Sequence, residues 1–140
     1  MSRIFWDSNL FIYFFEGNDE LSRATKRLRS AMLDRGDQLF TSTITLGEIL
    51  VKPLERGDVA LSRKYEEALA QTTVLLPFDV KAARRFAQVR SDRAVKAPDA
   101  IQLACAGEAS VDLFITNDHR LQGKQVDGIQ FIVALDQVPI

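Results

Sequence analysis

Four carboxylates stand where an acidic side chain is out of character with its surroundings. Asp7 interrupts FWDSNLFIYF, with Ile4, Phe5 and Trp6 before it and Leu10, Phe11 and Ile12 after it. Glu48 lies in TSTITLGEIL, Asp99 in KAPDAIQLACA and Asp118 in DLFITNDHR. Each has a plain structural alternative. Asp7 can cap a helix, a contribution of typically ~1 kcal/mol; Asp99, just after Pro98, can face the positive end of a helix macrodipole; and Asp118 can close an Asx turn. Glu48 can pair with Lys52 four residues on, although its neighbours Leu46, Ile49, Leu50 and Val51 suggest a buried turn, where an unpaired acid is costly. Taken together the four point elsewhere. Acids gathered at one place repel and raise one another's pKa values, and a divalent cation removes that conflict. Mg²⁺ and Mn²⁺ accept carboxylate oxygens and keep several waters, and two such ions can clamp both oxygens of a phosphodiester displacement. Ser8 and Asn9 after Asp7, and Thr116 and Asn117 before Asp118, offer hydroxyls and amides able to orient carboxylates or water, besides capping and turn roles. One Cys and one His cannot build a structural zinc site. His119 reads as an exposed turn residue or a substrate contact.

What must position these acids is an alternation of elements. Strand-like runs occur at 3–6 (RIFW), 38–41 (QLFT), 73–76 (TVLL), 112–115 (DLFI) and 130–133 (QFIV). Between them lie helical patterns. DSNLFIYFFEG has Asp7 as N-cap and Gly17 as a stop, and residues 20–34 carry Leu21, Ala24, Leu28, Ala31 and Met32 at helical spacing. A third helix runs from Leu46 to about Glu55 and is disturbed at Pro53. A fourth follows Asp58, with Val59, Leu61, Tyr65, Ala68 and Leu69 inward. Asp79 caps a fifth, with an apolar stripe of Val80, Ala83, Phe86, Ala87 and Val89, and Pro98 opens a sixth through about Ala109. Crossovers too long for hairpins predict a parallel sheet of about five strands covered on both faces, a three-layer α/β/α domain. In such sheets ligands bind beyond the carboxyl ends of the strands. Asp7 and Asp118 directly follow strands, and Asp99 and Glu48 start helices that the topology can bring to the same edge.

The chain of 140 residues, 46% apolar and 26% charged, fits one domain over 1–140 with a real hydrophobic core. The lone Cys105, in AIQLACA, is expected as a reduced, buried thiol. No segment has the ~20 apolar residues that span a bilayer, and no early apolar run is long enough for a signal peptide, so a soluble cytoplasmic protein is expected. Net charge is −1, which does not advertise nucleic-acid binding. Two basic runs do stand out: Arg23, Lys26, Arg27 and Arg29, and then Arg84, Arg85, Arg90, Arg93 and Lys96, which ends just before Asp99. Such runs are ordinarily solvated helix faces, but beside an acidic site the second becomes a candidate for binding a polyanion.

The four acidic segments, in this order and at this spacing, resemble the PIN domain, and especially the small VapC-type toxins of prokaryotic toxin–antitoxin pairs. The resemblance covers essentially the entire chain. It implies a Mg²⁺- or Mn²⁺-dependent endoribonuclease using one or two ions, with Asp7, Glu48, Asp99 and Asp118 matching the acidic quartet and Thr116 and Asn117 the polar pair that supports it. RNA as substrate and an antitoxin as partner follow from the resemblance, as does a possible homodimer; the residues alone specify only a phosphate ester. Leu121 stands where the family often has an aromatic residue. The aromatic FIYFFEG helix with residues 20–34 is one groove where an antitoxin would dock, ordinary core packing being the alternative. A housekeeping RNA-processing nuclease would look alike in sequence, and a non-catalytic PIN-like module that holds a partner is the remaining reading. A covalent phosphoaspartate chemistry is disfavoured because Asn9, not a second Asp, lies two residues after Asp7.

Overall fold

The computed structural model describes residues 1–139. Five parallel strands form one sheet: β1 (Arg3–Trp6), β2 (Gln38–Ser42), β3 (Val74–Leu76), β4 (Leu113–Ile115) and β5 (Phe131–Val133), in the order β3-β2-β1-β4-β5. Six helices connect them: α1 (Ser8–Glu16), α2 (Glu20–Arg35), α3 (Thr43–Glu55), α4 (Val59–Thr72), α5 (Val80–Val89) and α6 (Ala97–Glu108). A 3₁₀ turn, Leu135–Gln137, follows β5. The expected three-layer α/β/α architecture is what forms.

The central strand shows why. A strand covered on both faces must be apolar at every position, not every second one, and in RIFW Ile4 and Trp6 pack with α1–α4 residues such as Leu10, Met32, Ile49 and Leu69 while Phe5 packs with α5–α6 residues such as Ala82, Leu103 and Ala106. Phe5 and Phe114 stack at 4.9 Å across neighbouring strands on that second face. Chain direction reverses its march across the sheet at β1, since β1 leads to β2 on one side while β4 returns to its other side. The crevice beyond the carboxyl ends of β1 and β4 is therefore the topological switch point, the place where ligands bind in such sheets.

Several local expectations change. Helix α3 begins at Thr43, with the Ser42 hydroxyl capping the Ile44 N–H at 3.3 Å, rather than at Leu46. It also runs through Pro53 to Glu55. A proline one turn from a helix end forgoes a single hydrogen bond, and the buried ring here contributes apolar contact instead. On α4, Val59 is 54% exposed rather than inward. On α5 the buried side chain is Ala82, while Val80 is 67% exposed and Ala83 and Ala87 are also outward. The helix is rotated because it seats Phe86 and Val89 against α6 and bridges Arg85 Nε to Glu108 Oε2 at 2.6 Å along the seam. Gly107 makes the close packing beyond that seam feasible: a Cβ there would stand 2.5 Å from the Asp127 carbonyl oxygen. Cys105 is buried, and burial pushes its thiol up to about 11.

Candidate functional site

Asp7 sits at the C-terminal end of β1, where its backbone N–H continues the ladder by donating to Ile115 O at 3.0 Å. It is both the N-cap of α1 and a buried acid, 6% exposed. One oxygen accepts the Ser8 backbone N–H at 2.9 Å, and the other accepts the Thr116 hydroxyl at 2.7 Å. These bonds favour the charged form, but loss of hydration outweighs them. Burial pushes the Asp7 carboxyl up to about 6, and the charges of Asp99 and Glu48 add to the rise. The capping role expected from the sequence is real, yet no cap requires such a desolvated carboxylate.

Glu48 comes to the same edge from α3. Its side chain is exposed rather than buried as its apolar neighbours suggested, because the helix turns Ile49 into the core and leaves position 48 toward the crevice. Lys52 does not neutralise it; that ammonium lies 3.9 Å from Glu16 instead. The Glu48 carboxylate accepts the Ser8 hydroxyl at 3.1 Å, so Ser8 ties it to the start of α1. Partial desolvation and then the Asp99 charge hold its pKa above the ordinary value. Asp99, in the first turn of α6, is partly buried and accepts no hydrogen bond among the described residues; the cap position is Lys96, which makes no side-chain cap bond. Desolvation, then the Asp118 charge, raise its pKa, while Arg120 and Lys96 oppose the rise.

Asp118 belongs to a different electrostatic class. Arg120 grips its carboxylate with both Nε (3.0 Å to Oδ1) and Nη2 (2.7 Å to Oδ2), and the Arg120 backbone N–H closes an Asx turn onto Oδ1 at 3.0 Å. That grip holds the Asp118 carboxyl below its usual range. So three acids with raised pKa values face one already paired.

A polar network not foreseen from the sequence underlies Asp7. Gln102 of α6, 2% exposed, reaches toward Asp7 Oδ1 at a long 3.5 Å, donates to Thr45 Oγ1 at 2.7 Å, and accepts the Ser42 hydroxyl. Thr41 lies 2.8 Å from the Thr45 hydroxyl and donates to Trp6 O at 3.0 Å. Gln102 is the one long polar side chain in AIQLACA, three residues after Asp99, hence on the same helix face. That spacing was the available signal.

The predicted supporting residues divide. Ser8 and Thr116 contact the acids as expected. Asn117 instead accepts the Leu135 N–H at 3.3 Å and fastens the 3₁₀ turn, and Asn9 Oδ1 is buried without a partner among the described residues. The predicted basic run divides too. Arg85 is consumed by Glu108 and by Asp127 O at 2.8 Å, and Arg90 donates to Val95 O at 2.6 Å, so both serve the packing of α5. Arg84 and Arg93 are exposed. Only Lys96 of the five acts electrostatically on the acids, reaching Asp99 and Asp118.

Among the described residues no three His, Cys, Asp or Glu side chains form a group able by itself to hold a metal ion. The acids are thus not a closed cage of the kind zinc takes. They do fit a hard cation that keeps most of its waters and takes one or two carboxylates, because Asp7, Glu48 and Asp99 lie within mutual electrostatic reach with no cation of the chain bonded to any of them.

The fold has counterparts among known structures. A Klebsiella pneumoniae toxin–antitoxin complex superposes with a TM-score of 0.68 at 24% identity, covering 93% of this chain and 99% of that one. VapBC2 from Rickettsia felis, bound to a promoter DNA fragment, gives 0.74 at 10% identity, covering 94% and 98%. DNA-bound VapBC from Salmonella typhimurium gives 0.73 at 20% identity, covering 96% and 99%. No curated protein sequence matches the chain. The PIN domain family model matches residues 4–126, which takes in all four acids, and the chain belongs to the PIN domain family.

Proposed function

We propose that residues 1–140 are a single PIN-like nuclease domain that acts as a Mg²⁺- or Mn²⁺-dependent endoribonuclease, the toxin of a toxin–antitoxin pair working in the cytoplasm. PIN domains are generally nucleases. The observation that carries the reading is Asp7: a carboxylate held at the end of the central strand, desolvated until its pKa reaches about 6, beside two further unpaired acids. One or two of Asp7, Glu48 and Asp99, together with waters the ion keeps, would hold the cation, which when bound supplies acidity to water and offsets charge on phosphorus. Ser8 keeps Glu48 turned toward Asp7. Thr116 fixes the rotamer of Asp7, and Gln102 supports it from beneath. No side-chain nucleophile is required, and the products would carry 5′-phosphate and 3′-hydroxyl ends.

The toxin assignment draws on the neighbouring structures, which are toxin–antitoxin complexes. The aromatic α1 helix is mostly core, since Phe11 is 2% exposed and Phe15 stacks on Tyr65 at 5.0 Å. What remains open is a groove of about 840 Å³ bordered by Tyr13 of α1, by Leu21, Ala24 and Leu28 of α2 and by Leu135 and Val138, and this is where an antitoxin segment would dock. No helix among the described residues is long and apolar enough to cross a membrane.

The test compares wild type with Asp7→Asn and Asp99→Asn for growth arrest on expression and for cleavage of an RNA pool with Mn²⁺ and with chelator. Wild type should arrest growth and cleave only with the cation, and both variants should do neither. Unchanged cleavage in both variants defeats the assignment.

A further inference from the structure

Arg120 is the side chain that the function so far leaves without a task. An exposed ion pair two residues apart contributes little to stability, yet this one is made with unusual completeness: three donors of Arg120, two from the guanidinium and one from the backbone, converge on the single Asp118 carboxylate. The pair is also tied to the site. Asp118 N–H donates to Thr116 Oγ1 at 3.0 Å, and that same hydroxyl donates to Asp7 Oδ2 at 2.7 Å. Leu121, 2% exposed, anchors the other end of the turn, with its N–H on Asp118 O at 3.1 Å. A continuous path Asp7–Thr116–Asp118–Arg120 therefore sets the guanidinium relative to the buried acid. Its charge acts on Asp99 as well. The Arg120 side chain is 57% exposed, and of its five N–H groups Asp118 engages one on Nε and one on Nη2, so the Nη1–Nη2 edge is left to face an incoming group.

We propose that Arg120 binds a phosphate of the RNA substrate at the rim of the site, and that Asp118 is its positioning residue rather than a cation ligand. The inference rests on the nuclease reading and deepens it. A site lined with carboxylates repels a polyanion, and Arg120 and Lys96 are the two cations whose charges reach those acids. Of the two, Arg120 alone is held in a fixed fork, the geometry that matches two phosphate oxygens. Because Asp118 already spends both oxygens on Arg120, a cation drawn to it would first have to break that grip.

The experiment uses the full chain and a fluorescent single-stranded RNA oligonucleotide. RNA affinity is measured across salt concentrations in chelator, which prevents cleavage; Mn²⁺ binding is measured without RNA; and kcat and KM are measured with Mn²⁺. Arg120→Ala should leave Mn²⁺ affinity within about threefold. It should flatten the slope of log affinity against log salt by roughly 0.7, the loss of one phosphate contact on a single strand, and lower kcat/KM by about 10²-fold. Arg120→Lys should restore the salt slope, since the charge is kept, but only part of kcat/KM, since the fork is lost. Asp118→Asn should keep Mn²⁺ affinity and the salt slope while lowering kcat/KM. Wild-type slope and kinetics in Arg120→Ala, or a tenfold or greater loss of Mn²⁺ affinity in Asp118→Asn, would overturn the proposal. Both outcomes are read in a wild type that cleaves; a wild type that cleaves nothing and binds no Mn²⁺ refutes the nuclease reading itself, and this inference with it.

Discussion

Replacing Asp7 with Asn should make the cation-free protein more stable while abolishing its activity. In the unfolded chain the Asp7 carboxyl titrates near 3.8, and in the folded protein near 6. At about 1.4 kcal/mol for each tenfold change in acidity, ionised Asp7 costs the fold roughly 3 kcal/mol. The direction follows from proton binding. The folded state holds the proton more tightly, so the cost is absent below pH 3.8, grows as pH rises, and is complete above about 6. Asn carries no charge at any of these pH values and keeps the shape; its carbonyl can still accept the Ser8 N–H, while its amide must donate to Thr116, whose hydroxyl now has to accept. Some of the gain is lost in that exchange. A net increase of about 2 kcal/mol at pH 7.5 in chelator is expected, a rise in melting temperature of roughly 7 °C for a chain of this size. The advantage should fall to roughly a third by pH 5, where wild-type Asp7 is mostly protonated when folded and the ionisation cost has dropped by about half while the cost of the exchanged hydrogen bond stays. Added Mn²⁺ should raise the wild-type melting temperature by linkage and the variant's by less. The assay is thermal unfolding followed by circular dichroism at the two pH values. A variant less stable than wild type at pH 7.5 in chelator, or one whose advantage is the same at pH 5, refutes the reasoning.

Three other outcomes are expected. Gln102→Leu should destabilise the fold by about 2 kcal/mol in urea unfolding, because the buried Ser42 hydroxyl loses the acceptor for its proton and the Thr45 hydroxyl loses one of its two partners, and it should weaken RNA cleavage through the loss of support beneath Asp7. Gly107→Ala should cost at least about 1–3 kcal/mol in the same assay, since the new methyl meets the Asp127 carbonyl at 2.5 Å and backbone must shift; an unchanged midpoint would show that the 126–129 turn is free to move. Cys105, whose thiol burial pushes up to about 11, should react with a disulfide reagent at pH 8 only as fast as the protein opens, and rapid native labelling would contradict its place in the α5–α6 core.

The sequence by itself determined the elements and the identity of the acids. The five strands fall within a residue or so of the expected runs because a strand buried on both faces must be continuously apolar, and RIFW, QLFT and DLFI have no other way to be soluble. Asp7 stood out for the same reason, as a lone charge between two such segments. Helix faces were less legible. Val80 and Val59 looked inward by spacing, but the apolar stripe of a short helix is wide, and which edge of it is covered depends on the neighbour, here α6 with Gly107 and Glu108. Only tertiary structure decided the rest. Lys52 was a sequence neighbour of Glu48 and turned out to face Glu16; Arg85 and Arg90 looked available and are held by α6 and by the Val95 carbonyl; the role of Gln102 emerged only once β1, β2 and α6 were set side by side. Most of all, Asp118 and Asp7 are the same residue type beyond neighbouring strands, Asp7 directly after β1 and Asp118, expected directly after its strand, three residues past the end of β4. Burial raises one pKa and Arg120 lowers the other, because a charge's cost depends on the water and the partners that the fold leaves it, and those come from residues far away in the chain or from a turn whose shape the fold imposes.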